Sequence, residues 1–252
     1  GGVLNPGTVS LPQNVALGFV AGAGSPRMQL RVYGVPAGPA YALGVTRTLN
    51  EVGQPLPGVG VTERSPQGER VLTTDPDYGV VTLGRSSGEH VWRFERDGFL
   101  PVWRKQTLLR GAVRLVPNPR LVRRSDRLVQ ITSTGTKFIQ DGTGALRLDF
   151  QFQQAGDHAA VRLTPVDGQT LPGLLPQGWS PMGAFWIESV DPALAANVSI
   201  RPPGTIAAGD AAALAKWNPG TVQWEVLSRV TGNGTNAVVR QIRDWGAYAL
   251  VV

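Results

Sequence analysis

Histidine, serine and the acidic residues are the groups in this sequence that could take part in catalysis. Its two histidines, His90 in HVWRFER and His158 in AGDH, are far apart, and neither has a carboxylate or a second histidine at metal-ligand spacing. No serine stands in a Gly-x-Ser-x-Gly frame, and nothing singles out a carboxylate pair among the 18 acids. The chain also has no cysteine, which excludes disulfides and thiolate metal sites. We therefore expect a protein that is not an enzyme and that uses no metal or cofactor.

A short acidic segment, TTDPDYG, contains Asp75 and Asp77 at a spacing found in part of a calcium loop. A complete loop needs further oxygen ligands and a later acidic residue, and the following VVTLGRSSGE does not supply them at the required spacing. The segment therefore favours a turn.

Tryptophan offers a different chemistry, because an exposed indole can stack on a sugar ring. Four tryptophans lie in alternating apolar segments, which indicates core positions: Trp92, Trp103, Trp186 and Trp224. Trp179 in QGWSP and Trp245 in RDWGAY lie near predicted turns, where indole rings can be exposed. These two residues are the candidate platform of an alternative function, that of a carbohydrate-binding or adhesion module.

Positive charge is concentrated in one part of the chain. Between Arg93 and Arg127 there are ten basic residues against three acidic ones, and the whole chain has a net charge of +6. Such a stripe can dock on an acidic partner, or its arginine stems can cover apolar surface on solvent-facing strands. The docking candidates are Arg120, Arg123 and Arg124, which lie in a predicted linker. No nucleic-acid-binding module is recognisable, so a nucleic-acid partner is not expected.

The chain contains one hexapeptide twice, as GQPLPG at 53–58 and GQTLPG at 168–173, with five of six positions identical. A phosphate-binding loop needs a helix behind it, and neither copy is followed by a helical pattern. Proline before glycine instead indicates a turn whose last glycine, Gly58 or Gly173, adopts positive φ. Leu56 and Leu171 are predicted to anchor the two turns on a core.

Short alternating segments separated by turn residues predict the elements that position these groups. Their spacing, about eight to twelve residues, is typical of β-sandwiches. Asp97 and Gly98 between two such segments predict a hairpin, whereas DAAALAKW at 210–217 is compatible with a short helix or a strand. We expect an all-β chain of two consecutive immunoglobulin-like or transthyretin-like sandwiches, at 45–117 and 118–252, after an irregular N-terminal extension at 1–44.

The apolar runs and the opening segment of the chain are the places where a membrane span or a signal peptide would lie. No apolar run is long enough to span a membrane. The opening segment lacks a basic start and is broken by proline and glycine, so it is not expected to be a signal peptide. We expect the chain to be part of a longer polypeptide.

Residues 45–117 carry a family resemblance. The stretch VTRTLNEVGQPLPGVGVTERSPQGERVLTTDPDYGVVTL, followed by HVWRFERDGFLPV and AVRLVP, resembles the carboxypeptidase-regulatory-like, or transthyretin-like, domain. That family has a strand, a Gly-x-Pro-Leu-Pro-Gly turn, a valine-rich strand and a late Asp-Gly-aromatic turn. The resemblance implies a β-sandwich.

The second half resembles a different module. The stretch RLTPVDGQTLPGLLPQGWSPMGAF is similar to the ZU-type β-sandwich found upstream of the repeats in large bacterial RHS/YD-repeat proteins, which include teneurin-like and polymorphic-toxin proteins. This resemblance implies a non-enzymatic module of a secreted or cell-surface bacterial protein. Its expected partner is the β-shell formed by the rest of its own parent polypeptide, which such a module caps or plugs around an enclosed toxin.

Overall fold

The computed structural model describes residues 42–84, 86–130, 160–190, 206, 211–231, 238–242 and 244–252, together with the strands at 135–140, 147–152 and 196–201. Every regular element in this part of the chain is a β-strand, which confirms the predicted all-β class. Nearly all of the predicted extension at 1–44 lies outside the described residues, and the first strand begins at Leu43.

The first sandwich is built from short strands. In chain order they are β1 (Leu43–Arg47), β2 (Leu49–Asn50), β3 (Gly60–Ser65), β4 (Gly68–Thr73), β5 (Val80–Leu83), β6 (Gly88–Glu95), β7 (Val102–Leu108), β8 (Val113–Leu115) and β9 (Arg120–Leu121). A three-stranded sheet, β5-β1-β8, faces a four-stranded sheet, β4-β3-β6-β7, and the short strands β2 and β9 pair in parallel.

Alternation along the strands explains the core between these two sheets. In β6, His90, Trp92 and Phe94 are buried while Arg93 and Glu95 between and after them are exposed. The inward residues pack with apolar side chains of the other sheet, such as Leu83, in one cluster. Alternate burial is what a strand with one core-facing side produces. The hairpin predicted at Asp97 and Gly98 is confirmed, since it joins the antiparallel strands β6 and β7.

The second sandwich is built on ten further strands within the described part of the chain. They are β10 (Leu128–Gln130), β11 (Gly135–Gln140), β12 (Arg147–Phe152), β13 (Ala160–Val166), β14 (Pro181–Ser189), β15 (Ala196–Arg201), β16 (Ala211–Asn218), β17 (Gln223–Thr231), β18 (Val238–Ile242) and β19 (Gly246–Val251). They form a six-stranded sheet, β10-β13-β14-β19-β16-β17, and a four-stranded sheet, β11-β12-β15-β18. The chain passes repeatedly between these sheets, as in Greek-key sandwiches.

Two details of the sequence-based assignment are resolved by this topology. The segment at 211–218, for which a helix was an alternative, is strand β16. The first sandwich continues past the predicted boundary at 117, because Arg120 and Leu121 pair with β2 and Leu121 is fully buried in the first core. No helix in the described part of the chain has the length and apolar character of a transmembrane segment.

Candidate functional site: the joint between the two sandwiches

Trp103 is the residue around which the two sandwiches meet. It lies on β7 of the first sandwich, and it is only 8% exposed although it points away from the first core. Its side chain belongs instead to an apolar cluster built mainly from the second sandwich. Leu100 joins it from the first sandwich, and the members from the second include Leu171, Ala215 and Trp217. We call this cluster the joint.

Four tryptophan rings form the centre of the joint. The ring of Trp103 is parallel to that of Trp186 within 3°, with centroids 6.5 Å apart. Trp217 lies 5.9 Å from Trp103 on centroids, and Trp224 packs edge-on against Trp217 at 5.5 Å. Offset stacked and edge-to-face arrangements at these distances are favourable beyond the area they bury. The Arg93 guanidinium, 5.8 Å from the Trp103 centroid, adds a cation–π contact.

The second hexapeptide is the loop that receives Trp103. The backbone N–H of Trp103 donates to the carbonyl oxygen of Pro172 at 2.6 Å, and the carbonyl oxygen of Gly173 accepts from Nε1 of Trp224 at 3.1 Å. Leu171 beside them is buried, as predicted. A Cβ at Gly173 would lie 2.1 Å from the Trp217 ring, so only glycine fits there.

The first hexapeptide is a turn inside the first sandwich. Gly53 and Gly58 both have positive φ, of 82° and 67°, and Leu56 is buried in the first core. Oδ1 of Asn50 accepts from the N–H groups of Gln54 and Val52. The second copy does not repeat this backbone. Gly173 does not have a positive φ, so the turn predicted for it is wrong. The copies therefore share a buried leucine, but the second uses glycine for close packing.

Two of the three predicted docking arginines, Arg123 and Arg124, have side-chain contacts within the chain. Arg120 lies in β9 and pairs with Leu49 of β2. The Arg123 guanidinium lies 5.6 Å from the Phe99 ring centroid. Nε of Arg124 is 3.4 Å from Oε2 of Glu188 in the second sandwich. Arg124 thus contributes a charged contact between the sandwiches, and binding to an outside partner stays a prediction.

The two tryptophans predicted as one sugar platform lie at opposite ends of β19. Ser180, next to Trp179, exchanges backbone hydrogen bonds with Val252 after the end of β19, whereas Trp245 immediately precedes its start. A strand of this length separates them by about 17–20 Å. Trp179 packs partly buried against the joint. Trp245 lines a cleft of about 360 Å³ in which Trp179 takes no part.

A buried ionic cluster in the first sandwich was missed at the sequence level. Nδ1 of His90 lies 2.7 Å from Oε1 of Glu63, its Nε2 lies 2.9 Å from the carbonyl oxygen of Ser86, and Arg70 pairs with the other oxygen of Glu63. Both His90 and Glu63 are almost completely buried. The alternation along the strands could have revealed this cluster. Glu63 lies two positions after Val61, and His90 lies two positions before Trp92, so both residues occupy core-facing positions of their strands. The other histidine, His158, lies outside the described residues.

Arg104 is a second buried charge. It is 4% exposed and donates to the carbonyl oxygens of Trp103, Pro117 and Asn118, at 2.7, 3.1 and 3.3 Å. Desolvation by burial lowers the pKa of its guanidinium to about 10, which still leaves it charged at neutral pH. It thereby fixes β7, the strand that carries Trp103, to the segment before β9.

The acidic segment at 75–77 is a turn, in agreement with the sequence-based interpretation. Oδ1 of Asp75 accepts from the backbone N–H groups of Asp77 and Tyr78, at 2.9 and 2.7 Å. Such a side-chain-capped turn uses a carboxylate oxygen that a calcium site would need. Across the described residues, no group of three or more histidine, aspartate or glutamate side chains is arranged to hold a metal ion.

Comparisons with known proteins give distant similarities. No protein-family model matches the chain, and no curated protein matches it significantly. Among solved structures, a Bacteroides uniformis protein assigned provisionally to carbohydrate binding is 11% identical, over 81% of this chain and 79% of that one, with a TM-score of 0.28. The Bacillus anthracis TIE protein is 10% identical, over 81% and 43%, with a TM-score of 0.30. BcpA, the major pilin subunit of Bacillus cereus, is 10% identical, over 83% and 57%, with a TM-score of 0.23.

Proposed function

We propose that this chain is a non-enzymatic structural and interaction module of a large secreted or cell-surface bacterial RHS/YD-repeat protein. In that protein it caps or plugs the β-shell that encloses a toxin. The observation that supports a structural role is the insertion of Trp103, carried by the first sandwich, into the apolar cluster of the second. Two sandwiches joined in this way present one fixed shape.

The character of the joint is the physical reason for this proposal. Interfaces between domains of one chain are usually polar enough to permit relative motion, unless they are large and hydrophobic. Here the contact consists of stacked indoles, leucine and alanine, and it is reinforced by the Trp103–Pro172 backbone hydrogen bond. A cap or plug must keep its shape against the shell that it closes, and a rigid pair of sandwiches meets that need.

The proposed docking surface is the region of Arg120, Arg123 and Arg124. The test mixes the purified chain with the separately expressed repeat shell of its parent polypeptide and measures affinity by biolayer interferometry. Exposed charge pairs are screened by salt, so we expect affinity to fall between about 50 mM and about 500 mM salt. The triple alanine variant of these arginines should fold normally and lose most of that salt-sensitive affinity.

A matched control uses arginines outside this region. Arg64 pairs with exposed Glu69 and Arg114 is exposed, so the double alanine variant of these two should keep the wild-type affinity. Absence of binding to the shell at low salt would contradict the capping role. Equal losses in the triple and the control variants would contradict the choice of docking surface.

A further inference from the structure

A cleft that adjoins the joint, and shares Trp186 and Trp217 with it, lies at one end of the six-stranded sheet. It has a volume of about 360 Å³ and is bounded by the end of β16, the start of β17, the start of β19 and Trp186 of β14. Volumes of 300–1,000 Å³ are typical of small-ligand sites. Cross-strand pairing brings these segments together, because Lys216 stands opposite both Tyr248 and Glu225, and Trp186 stands opposite Ala247.

The apolar part of the cleft consists of indole rings. Trp186 and Trp245 are both half-buried and both line it. Trp186 is held by its parallel stacking on Trp103, so its orientation is fixed before any ligand arrives. Flat aromatic surfaces of this kind complement the C–H faces of sugar rings.

The polar part of the cleft is oriented by hydrogen bonds. Oδ1 of Asn218 accepts from the N–H groups of Gly220 and Thr221, which fixes its amide, and its Nδ2 donates to Oε1 of Glu225 at 2.6 Å. On the other side, Nζ of Lys216 lies 3.2 Å from Oδ2 of Asp244. Each carboxylate keeps lone pairs that these contacts do not use, and the ammonium keeps donors. Such paired acceptors and donors match the vicinal hydroxyl groups of a saccharide.

The charge of the cleft narrows the class of ligand. Two carboxylates, Glu225 and Asp244, line it together with one ammonium, that of Lys216. Like charges brought together in a partly desolvated site repel. Uronic acids, sialic acids and phosphorylated sugars are therefore disfavoured, whereas neutral sugars are accepted.

We propose that this cleft, lined by Trp186, Trp245, Asn218, Glu225, Asp244 and Lys216, binds neutral saccharides. At its volume it accommodates about one or two pyranose rings. The site does not depend on the capping role, because it is formed entirely by the second sandwich. It is also distinct from the platform predicted from sequence, since Trp179 lies at the far end of β19.

The test begins with a glycan array that contains neutral and acidic oligosaccharides built from glucose, galactose, mannose, N-acetylglucosamine, galacturonate and sialic acid. The strongest neutral ligand is then titrated by isothermal calorimetry. We expect Trp245→Ala and Glu225→Gln each to weaken binding by about tenfold or more, as loss of an anchor side chain typically does. Trp179→Ala is the matched control and should bind like the wild type.

The test remains decisive if Trp245→Ala is unstable, because Glu225→Gln probes the same cleft. Glu225 is exposed, and glutamine has nearly the same shape as glutamate, so this second variant is expected to fold. Thermal unfolding verifies that each variant is folded. The proposal is overturned if no neutral glycan binds at millimolar concentration, if acidic glycans bind preferentially, or if Trp179→Ala weakens binding as much as Trp245→Ala. Since no repeat shell is present in the assay, these outcomes are independent of the capping role.

Discussion

The backbone N–H of Trp103 and the carbonyl oxygen of Pro172 are joined by a hydrogen bond of 2.6 Å that connects the two sandwiches. The bond holds β7 of the first sandwich against the second hexapeptide, while the Trp103 ring enters the apolar joint behind it. The mechanical connection between the sandwiches therefore involves both main chain and side chain. Two sandwiches connected only by the covalent linker would have neither the main-chain bond nor the side-chain contact.

Replacing Trp103 by alanine should separate the unfolding of the two sandwiches. Removal of a buried tryptophan typically costs about 3–5 kcal/mol. Here that loss falls on the contact between two units, each of which has core residues of its own, such as Trp92 in the first sandwich and Phe185 in the second. We expect the wild type to unfold in one denaturant transition and Trp103→Ala in two, with loss of the circular-dichroism signal from the stacked Trp103 and Trp186 rings.

The matched control for Trp103 is Leu115→Ala on β8. Leu115 is 83% exposed, so its truncation should change the free energy of unfolding by less than about 0.5 kcal/mol. One transition in Trp103→Ala, with stability near that of the wild type, would show that the joint does not couple the sandwiches.

The last glycines of the two hexapeptides should respond differently to the same substitution. At Gly58 an alanine Cβ meets no atom within 4 Å, and only the positive φ of 67° is unfavourable. We expect Gly58→Ala to cost about 1–2 kcal/mol. At Gly173 the Cβ would meet the Trp217 ring at 2.1 Å, so Gly173→Ala should cost about 1–3 kcal/mol by overpacking.

A double-mutant cycle separates the two mechanisms. Trp217→Leu removes the ring against which the new Cβ would clash, so it should recover part of the loss in Gly173→Ala and none of the loss in Gly58→Ala. Free energies of unfolding from denaturant titration provide the measurement. Additive losses for Gly173→Ala and Trp217→Leu would contradict the close-packing explanation.

Sequence periodicity was sufficient to predict the all-β class, the Asp97–Gly98 hairpin and the burial of Leu56 and Leu171. These features depend on neighbouring residues, and a period of two or a turn dipeptide is visible locally. The role of Trp103 was not visible in this way. Its position on β7 is on the outward side, and its partners are supplied by the second sandwich.

The same limit applies to the candidate cleft and to the buried ionic cluster. Trp245 was singled out by its place near a turn, but its polar neighbours other than Asp244 come from β16 and β17, whose placement beside β19 no local pattern specifies. Glu63 and His90 are 27 residues apart and meet only because β3 pairs with β6. Residues that meet through sheet pairing become visible only when the register is known.

Arg104 should make stability depend on pH in the alkaline range. Burial lowers its pKa in the folded state below the ordinary value, to about 10, so the unfolded state binds the proton more tightly than the folded state. Between these two values the unfolded chain carries more protons, and the contribution of Arg104 to stability therefore rises with pH. Below about pH 10 both states are protonated and this contribution is constant.

The measurement compares the wild type with Arg104→Met. At neutral pH the variant should be less stable by about 1–3 kcal/mol, because three carbonyl oxygens lose their donor while the cost of burying a charge is relieved. As the pH rises above about 10, the wild type should gain stability relative to the variant. Subtracting the free energy of unfolding of the variant from that of the wild type removes the contribution of tyrosine and lysine titration, which is common to both. If this difference does not change with pH over this alkaline range, the lowered pKa of Arg104 is contradicted.

Glu63 and His90 should depend on each other for stability. Both are buried, and both ring nitrogens of His90 face acceptor oxygens, those of Glu63 and Ser86. Removing either residue leaves buried polar groups of the other without a hydrogen-bond partner, which typically costs about 1–3 kcal/mol. We expect Glu63→Leu and His90→Leu each to cause a loss of this size in denaturant unfolding.

The double variant distinguishes this dependence from simple loss of packing. Replacing both residues by leucine removes the buried pair together, and such replacements are often neutral or stabilising. Arg70, the remaining charge of the cluster, is 28% exposed and can turn its guanidinium toward water. We therefore expect Glu63→Leu/His90→Leu to be more stable than either single variant. If the double variant instead loses the sum of the two single losses, Glu63 and His90 stabilise the core independently.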